Sequence, residues 1–237
     1  MSRRTPWSPI FDVERSTGDI VVGATPGSPP PAAVYLYGVA TAGSPNEWVD
    51  NGENSFAIAS REAWTIGTVF SKPAALFDGT GSGASATADT SAVNGGICGF
   101  RLDSSAPADY QMLFNRDDGV GGAGRDWQFR ISPTRNLEFV RVQGGVVTIT
   151  SPGTVSLNTD YTAGWYWDGA TVYIYIDGVS VASAAIGTLA TDRPVFEIGW
   201  YPFSSGIYQF MGAIGEVYVF DDATSSTISD THALIAA

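Results

Sequence analysis

Four groups of side chains in this 237-residue chain have the types that chemistry requires. Glu138, Glu197 and Glu216 stand singly in strand-like apolar runs, whereas acid–base cleavage of a glycosidic bond needs two carboxylates converging on it. A lone strand carboxylate is expected to be solvated or salt-bridged. The segment NRDDGVGGAGRDW sets Asn115, Asp117, Asp118 and Asp126 beside glycines, an oxygen-rich stretch of the kind a calcium ion uses. It lacks the Glu and the spacing of an EF-hand, and Arg116 and Arg125 can neutralise the same carboxylates. The run GWYPFSSGIYQF concentrates Trp200, Tyr201, Phe203, Tyr208 and Phe210, whose rings can stack on the C–H faces of sugars or fold over one end of the domain. Cys98 and His232 are the only thiol and the only imidazole. They exclude an intrachain disulfide, a cysteine zinc cluster and a multi-histidine metal site, and they leave one position for a Ser-His-Asp triad. In GICGFRL, Cys98 shares a face with Phe100 and Leu102, so core filling is its expected role.

These groups must be carried by strands. The stretch Tyr161 to Ser183, YTAGWYWDGATVYIYIDGVSVAS, holds three strand-like runs joined by Asp168-Gly169 and Asp177-Gly178, pairs that can supply the positive φ angles of tight hairpins. Val172, Ile174 and Ile176 fall on one face of the middle run and Tyr173 and Tyr175 on the other, which predicts a strand inside a sheet. Trp165 and Trp167 share a face and are expected in the core. Further runs follow at the short spacing of an all-β fold: Val34–Val39, Ala63–Phe70, Gly96–Leu102, Tyr110–Asn115, Trp127–Ser132, Leu137–Val142, Val146–Thr150, Val195–Trp200 and Ala213–Phe220. Between them, TAGSPNEWVDNGENS reads as a long loop, and GTGSGASATADTSAVNGG suits an exposed edge strand with turns. TSSTISDTHALIA, with Ser and Thr to cap it, predicts a two-turn helix.

Three of these pieces together resemble the concanavalin A-like lectin/glucanase superfamily in its laminin-G-like form. They are the meander just described, ALFDGTGSGASATAD (Ala75 to Asp89), similar to the family's opening strand, and MGAIGEVYVFDDATSSTISDTHALIA (Met211 to Ala236), similar to its closing strand and short helix. The resemblance runs from Trp64 to Ala237. It implies an all-β fold, a two-sheet antiparallel jelly-roll β-sandwich, here with a short C-terminal helix and an extended N-terminal arm. Because the superfamily includes glucanases, catalytic carboxylates are implied as a possibility, but the E-x-D-x-x-E strand pattern of its retaining enzymes does not occur, so no hydrolysis is expected. Relatives also bind calcium near the Phe-Asp-Gly turn and an acidic closing strand. Asp78 matches the first element, whereas Ile214-Gly215-Glu216-Val217 lacks one expected ligand of the second.

Charge and composition narrow the partners. With 24 Asp and Glu against 12 Lys and Arg, the net field repels nucleic acid. Lys72, the only lysine, is given no functional weight. No apolar run is long enough to span a bilayer, and MSRRTPWSPIFDVERS has charges where a secretion signal needs an apolar core, so no membrane insertion is expected. Residues 1–33 read as a Pro-rich docking arm and residues 34–237 as the sandwich, with 34–63 a peripheral strand and loop. Pro6, Pro9, Pro26 and Pro29-Pro30-Pro31 remove amide donors, and the arm has too few apolar residues to bury itself, so it needs an external surface. Trp7, Ile10 and Phe11 are its expected apolar anchors in neighbouring subunits, with Arg3 and Arg4 meeting acidic surface there. The resulting expectation is a non-catalytic structural or adhesion protein at a particle surface, most simply a bacteriophage virion component that binds host glycans through Trp200, Tyr201, Phe203 and Tyr208. The alternatives are a free bacterial lectin and a glucanase.

Overall fold

A computed structural model describes residues 34–38, 48–50, 57–60, 65–80, 83–87, 93–117, 125–142, 145–189, 195–201 and 208–237. The arm residues Arg3, Arg4, Trp7, Ile10 and Phe11 lie outside that set, as do Phe203 and Asp118. Strands run at Val34–Gly38 (β1), Trp48–Asp50 (β2), Ala57–Ser60 (β3), Thr65–Val69 (β4), Lys72–Asp78 (β5), Ala84–Thr87 (β6), Gly95–Leu102 (β7) and Gln111–Asp117 (β8). They continue at Arg125–Ile131 (β9), Asn136–Arg141 (β10), Val147–Thr154 (β11), Asp160–Trp167 (β12), Thr171–Ile176 (β13), Val179–Ala185 (β14), Val195–Ile198 (β15) and Met211–Phe220 (β16). One helix, Ser225–Ala236 (α1), follows. Among the described residues, one sheet has nine strands along β14-β13-β12-β7-β16-β1-β2, with β5 also on β16 and β4 on β5. The other has seven, β11-β10-β9-β8-β15-β6-β3. All pairings in both are antiparallel, which is the jelly-roll-type sandwich expected from the sequence.

Period-two patterning explains the layers. Val172 and Ile174 are fully buried between the sheets, with Ile176 packed against the same core, while Tyr175 turns to the opposite side. Cys98, Phe100 and Leu102 enter the core from β7, and Ile97 faces away from it. At the centre Trp127 and Trp165 lie 4.5 Å apart, with Phe139 at 4.9 Å from Trp165. Burial pushes the Cys98 thiol well above its ordinary range, so it stays a neutral core filler.

The nine-stranded sheet has a second apolar layer on its outer side. Ile97, Tyr175, Tyr218 and Phe220 are covered there by Ile228 and Ile235 of α1. The helix can come this close because Gly99 and Gly164 leave pits: a Cβ at Gly99 would meet Ile235 at 2.8 Å, and one at Gly164 would meet Ile228 at 2.9 Å. Thr224 and Thr227 close a capping box at its start. Near its end the Lys72 ammonium donates to the Leu234 carbonyl at 2.6 Å and pairs with Glu216 at 3.4 Å. The single lysine thus ties helix to sheet, a role its composition did not announce. Burial raises the Glu216 carboxyl and the Lys72 charge opposes that rise.

Several details differ from expectation. The Asp177-Gly178 hairpin has positive φ at both residues, 49° and 74°. At the other turn only Gly169 does, because Asp168 uses its carboxylate to accept the amides of Ala170 and Thr171, giving a longer Asx-type connection. The helix spans 12 residues rather than two turns, since Ile228 and Ile235 give its whole length an apolar anchor. Strand β6 is not an edge: it lies between β15 and β3, and the expected long loop contains β2. The strand expected to end at Phe70 stops there, but the chain turns at once into β5, which begins at Lys72 rather than at Ala75.

Candidate functional site

On β9 and β10 the alternation that buries Trp127, Phe129, Ile131, Leu137 and Phe139 sends Gln128, Arg130 and Glu138 to the outer face of the seven-stranded sheet. Register then sets Glu138 directly opposite Arg130. The Arg130 guanidinium donates from Nε and Nη2 to Glu138 Oε2 at 3.1 and 3.0 Å, and from Nη1 to Gln128 Oε1 at 2.8 Å. Its carbon also lies 3.9 Å from the centre of the Tyr110 ring, just before β8, a cation–π contact that orients both groups.

Tyr110 begins a row of rings. Tyr208 sits 5.1 Å from it, edge to face, and Tyr201 lies 5.6 Å beyond Tyr208. The Tyr208 backbone takes φ 64°, a left-handed conformation that is unusual for a bulky residue and costs of order 1–3 kcal/mol. Phe210 N–H donating to Gly199 O at 3.0 Å and Gln209 Nε2 donating to Tyr201 O at 3.2 Å hold the segment in place. The result is a rim of half-exposed Tyr208, Tyr110 and Arg130, backed by buried Tyr201, Gln128 and Glu138. Aromatic faces beside paired donors and acceptors are suited to a ligand that is apolar on its faces and hydroxylated at its edges.

Of the residues singled out from the aromatic run, Tyr201 and Tyr208 join this rim. Trp200 is half-buried and packs on Gly83, where an added Cβ would fall 2.3 Å from the Trp200 Cβ. Tyr110, Gln128 and Arg130 were not anticipated, whereas Glu138 was expected as a solvated or salt-bridged strand carboxylate, which it is. Their outward alternation is visible in WQFRI and NLEF, but their convergence depends on strand register.

Of the candidate calcium residues, Asp78 lies in a different sheet from Asp117 and Asp126. Asp78 ends β5 in the nine-stranded sheet, exposed, and accepts the Thr80 amide at 2.9 Å. Asp126 is on β9 of the other sheet, buried, and paired with Arg116 at 3.3 Å. The Asp117 backbone pairs with Arg125 across β8–β9. Among the described residues no three His, Cys, Asp or Glu side chains group closely enough to hold a metal ion.

The strand glutamates do not converge either. Glu138 on β10 and Glu197 on β15 are separated by β9 and β8, three strand spacings or roughly 14 Å. A glycosidase pair sits about 5–9.5 Å apart. Glu216 belongs to the other sheet and is held by Lys72. His232 Nδ1 is 2.8 Å from Thr162 Oγ1 and ties α1 to β12.

A concavity of about 600 Å³ lies on the nine-stranded sheet near the start of α1, lined by Asn94, Tyr166, Trp167, Asp168, Asp221 and Asp222. Its central polar groups are spent on architecture. The Asn94 amide bridges Trp167 O and Ala223 O and accepts Ala223 N–H, while Asp168 serves its turn and accepts the Tyr173 hydroxyl at 3.1 Å.

The laminin-G-type profile described as the concanavalin A-like lectin/glucanases superfamily matches residues 100–227. No curated protein matches the chain. Among solved structures, the botulinum neurotoxin type G receptor binding domain is similar with a TM-score of 0.63 at 11% identity, over 86% of this chain and 51% of that one. This chain therefore spans about half the length of that domain. Domain 4 of AbnA, a GH43 extracellular arabinanase from Geobacillus stearothermophilus, in complex with arabinotriose, gives a TM-score of 0.59 at 16% identity over 84% of this chain and 98% of that one. The Ruminococcus gnavus IT-sialidase CBM40 bound to alpha2,3 sialyllactose gives 0.50 at 14% identity over 59% and 82%. At such identities the likeness is one of fold.

Proposed function

The chain belongs to the concanavalin A-like lectin/glucanases superfamily, whose profile matches more than half of it, and from that premise we propose that it is a non-catalytic saccharide-binding protein using the tyrosine rim of its seven-stranded sheet. The observation that carries this reading is Tyr208, held in a left-handed backbone conformation so that its ring stands between Tyr110 and Tyr201 beside the Arg130–Glu138 pair. A left-handed backbone at a bulky residue must be held by its surroundings, and here it sets the ring within the aromatic row. The saccharides named with the AbnA domain and CBM40 structures are in keeping with it. The spacing of the strand glutamates argues for binding without turnover.

Binding of immobilised or free oligosaccharides by the full chain is the direct test, run with calcium and with a chelator because Asp78, Asp117, Asp118 and Asp126 remain proposed ligands. Tyr208→Ala or Tyr110→Ala is expected to weaken binding roughly tenfold or more, about 1.4 kcal/mol, with the thermal midpoint little changed. Unaltered affinity in both variants overturns the site. Release of reducing sugar from β-glucans that is lost on changing Glu138, Glu197 or Glu216 would overturn the non-catalytic reading.

Display on a particle surface, in the finer form of a bacteriophage adhesion or decoration protein, is part of the proposal and rests on the sequence of residues 1–33. Among the described residues no helix is long and apolar enough to cross a membrane. Replacing Trp7, Ile10 and Phe11 by Ser in the full chain is expected to abolish assembly with neighbouring subunits while leaving the melting transition in place. Unchanged incorporation or oligomer size removes the arm from the account.

A further inference from the structure

We propose that the rim selects neutral saccharides and rejects those carrying a carboxylate, a specificity that rests on the saccharide-binding reading above. A saccharide carboxylate is held most strongly by a cation whose charge no protein carboxylate already offsets, as in bidentate arginine pairs. At the rim the cation is Arg130, and its Nε, Nη1 and Nη2 already donate to Glu138 and Gln128 at 2.8–3.1 Å. The pair is electrically neutral and offers what hydroxyls require, leftover N–H donors beside a carboxylate acceptor.

The same accounting extends over the described residues. Lys72 is bound to Glu216 and a helix carbonyl, Arg101 to Asp160 and the Thr68 carbonyl, and Arg116 to Asp126. Arg141 donates to the carbonyls of Ile186 and Gly145. Among the described side chains Arg135, at the β9–β10 turn, is the one arginine or lysine without an acceptor, and its own backbone is occupied with closing that turn. Around these sits a net charge of −12, which lowers the local concentration of any anionic glycan.

The test uses the full chain and matched pairs of probes: cellotriose with its uronic acid counterpart, galactotriose with trigalacturonic acid, and lactose with sialyllactose. For every pair with measurable binding, the neutral member is expected to bind roughly tenfold or more tightly at about 20 mM salt, and the gap to narrow near 500 mM as screening shortens the field. Glu138→Gln, checked for folding by its melting transition, leaves Arg130 uncompensated and is expected to shrink or invert the gap. Arg135→Ala, which leaves the Arg130 contacts to Glu138 and Gln128 in place, is expected to leave it unchanged. Equal or tighter binding of the acidic members, or a preference for them that Arg135→Ala removes, overturns the inference while Tyr208→Ala still reports on the rim itself. Absence of binding by all probes overturns both the inference and the reading beneath it.

Discussion

The outer faces of the two sheets make opposite use of the same architecture. On the nine-stranded sheet the outward residues Ile97, Tyr175, Tyr218 and Phe220 are apolar or aromatic, and the chain supplies their cover itself through α1. On the seven-stranded sheet the outward residues include Gln128, Arg130 and Glu138, polar groups held in an ion pair and a side-chain fork. An apolar face dictates its partner only as volume, so a helix with two isoleucines over two glycine pits suffices. A polar face dictates donors and acceptors in position, which is what recognition of a hydroxylated ligand needs.

The largest expected effects set these faces against each other. Phe220→Ala on the helix side is expected to cost about 3–5 kcal/mol, as for any large buried ring. Arg116→Ala within the seven-stranded sheet should cost a similar about 3–5 kcal/mol by stranding the buried Asp126. The difference lies in rescue. Adding Asp126→Leu to an Arg116→Met change is expected to recover most of the loss, since a buried pair can be exchanged for apolar contact. Chemical denaturation of the four variants checks this, and a double variant as unstable as Arg116→Ala would erase the distinction between the faces.

Gly164→Val comes next, at about 1–3 kcal/mol, because its side chain must displace Ile228. If α1 were loosely laid on the sheet, its melting midpoint would match that of the unaltered chain. Lys72→Met should cost about 1 kcal/mol or less, the ammonium being partly solvent-screened. It should also push the Glu216 carboxyl further up, since burial already raises it and the opposing charge is gone. For an acid whose folded pKa is raised, stability increases as pH falls through the folded value toward the unfolded value of about 4.3. The variant should therefore be penalised more at neutral pH than near pH 4.5, and equal penalties at both would contradict the clamp.

The smallest effect belongs to Asp168. Amides of Thr171 and Ala170 hold its carboxyl below the usual range, so its contribution is present above the unfolded pKa of about 3.9 and is lost as pH falls through the folded value. Asp168→Asn is expected to flatten the acid limb of the stability profile below about pH 4, measured by thermal unfolding across pH. An acid limb as steep as before would show that the hairpin does not use this charge.

What the amino-acid order revealed follows the same divide. Alternation exposes one strand at a time, so Val172, Ile174, Cys98, Phe100 and the Asp177-Gly178 turn could be read directly. Phe70 and Ser71 take positive φ at 50° and 61° without a glycine or asparagine to announce them, so a strand end at Phe70 was legible but the tight β4–β5 turn was not. The rim was half legible: Tyr201 and Tyr208 share one conspicuous run, but Tyr110, Arg130 and Glu138 come from three further places whose meeting is fixed by register and by a bulge near Met112. No local pattern encodes a pairing between strands.

Strand β16 carries a consequence for how the molecule comes into being. One of its edges is taken by β7, and its other edge by β5 along the first half and β1 along the second. Three strands from the first half of the chain thus wait for one near its end, and until residues 211–220 have been synthesised β7 presents an open ladder of amides and carbonyls. Such remote pairing makes for slow folding and a period in which an edge is free to find the wrong neighbour. The final segment is also the one that brings α1 down over the exposed tyrosines of its own sheet, so closure of the ladder and removal of the sticky surface arrive in a single late event.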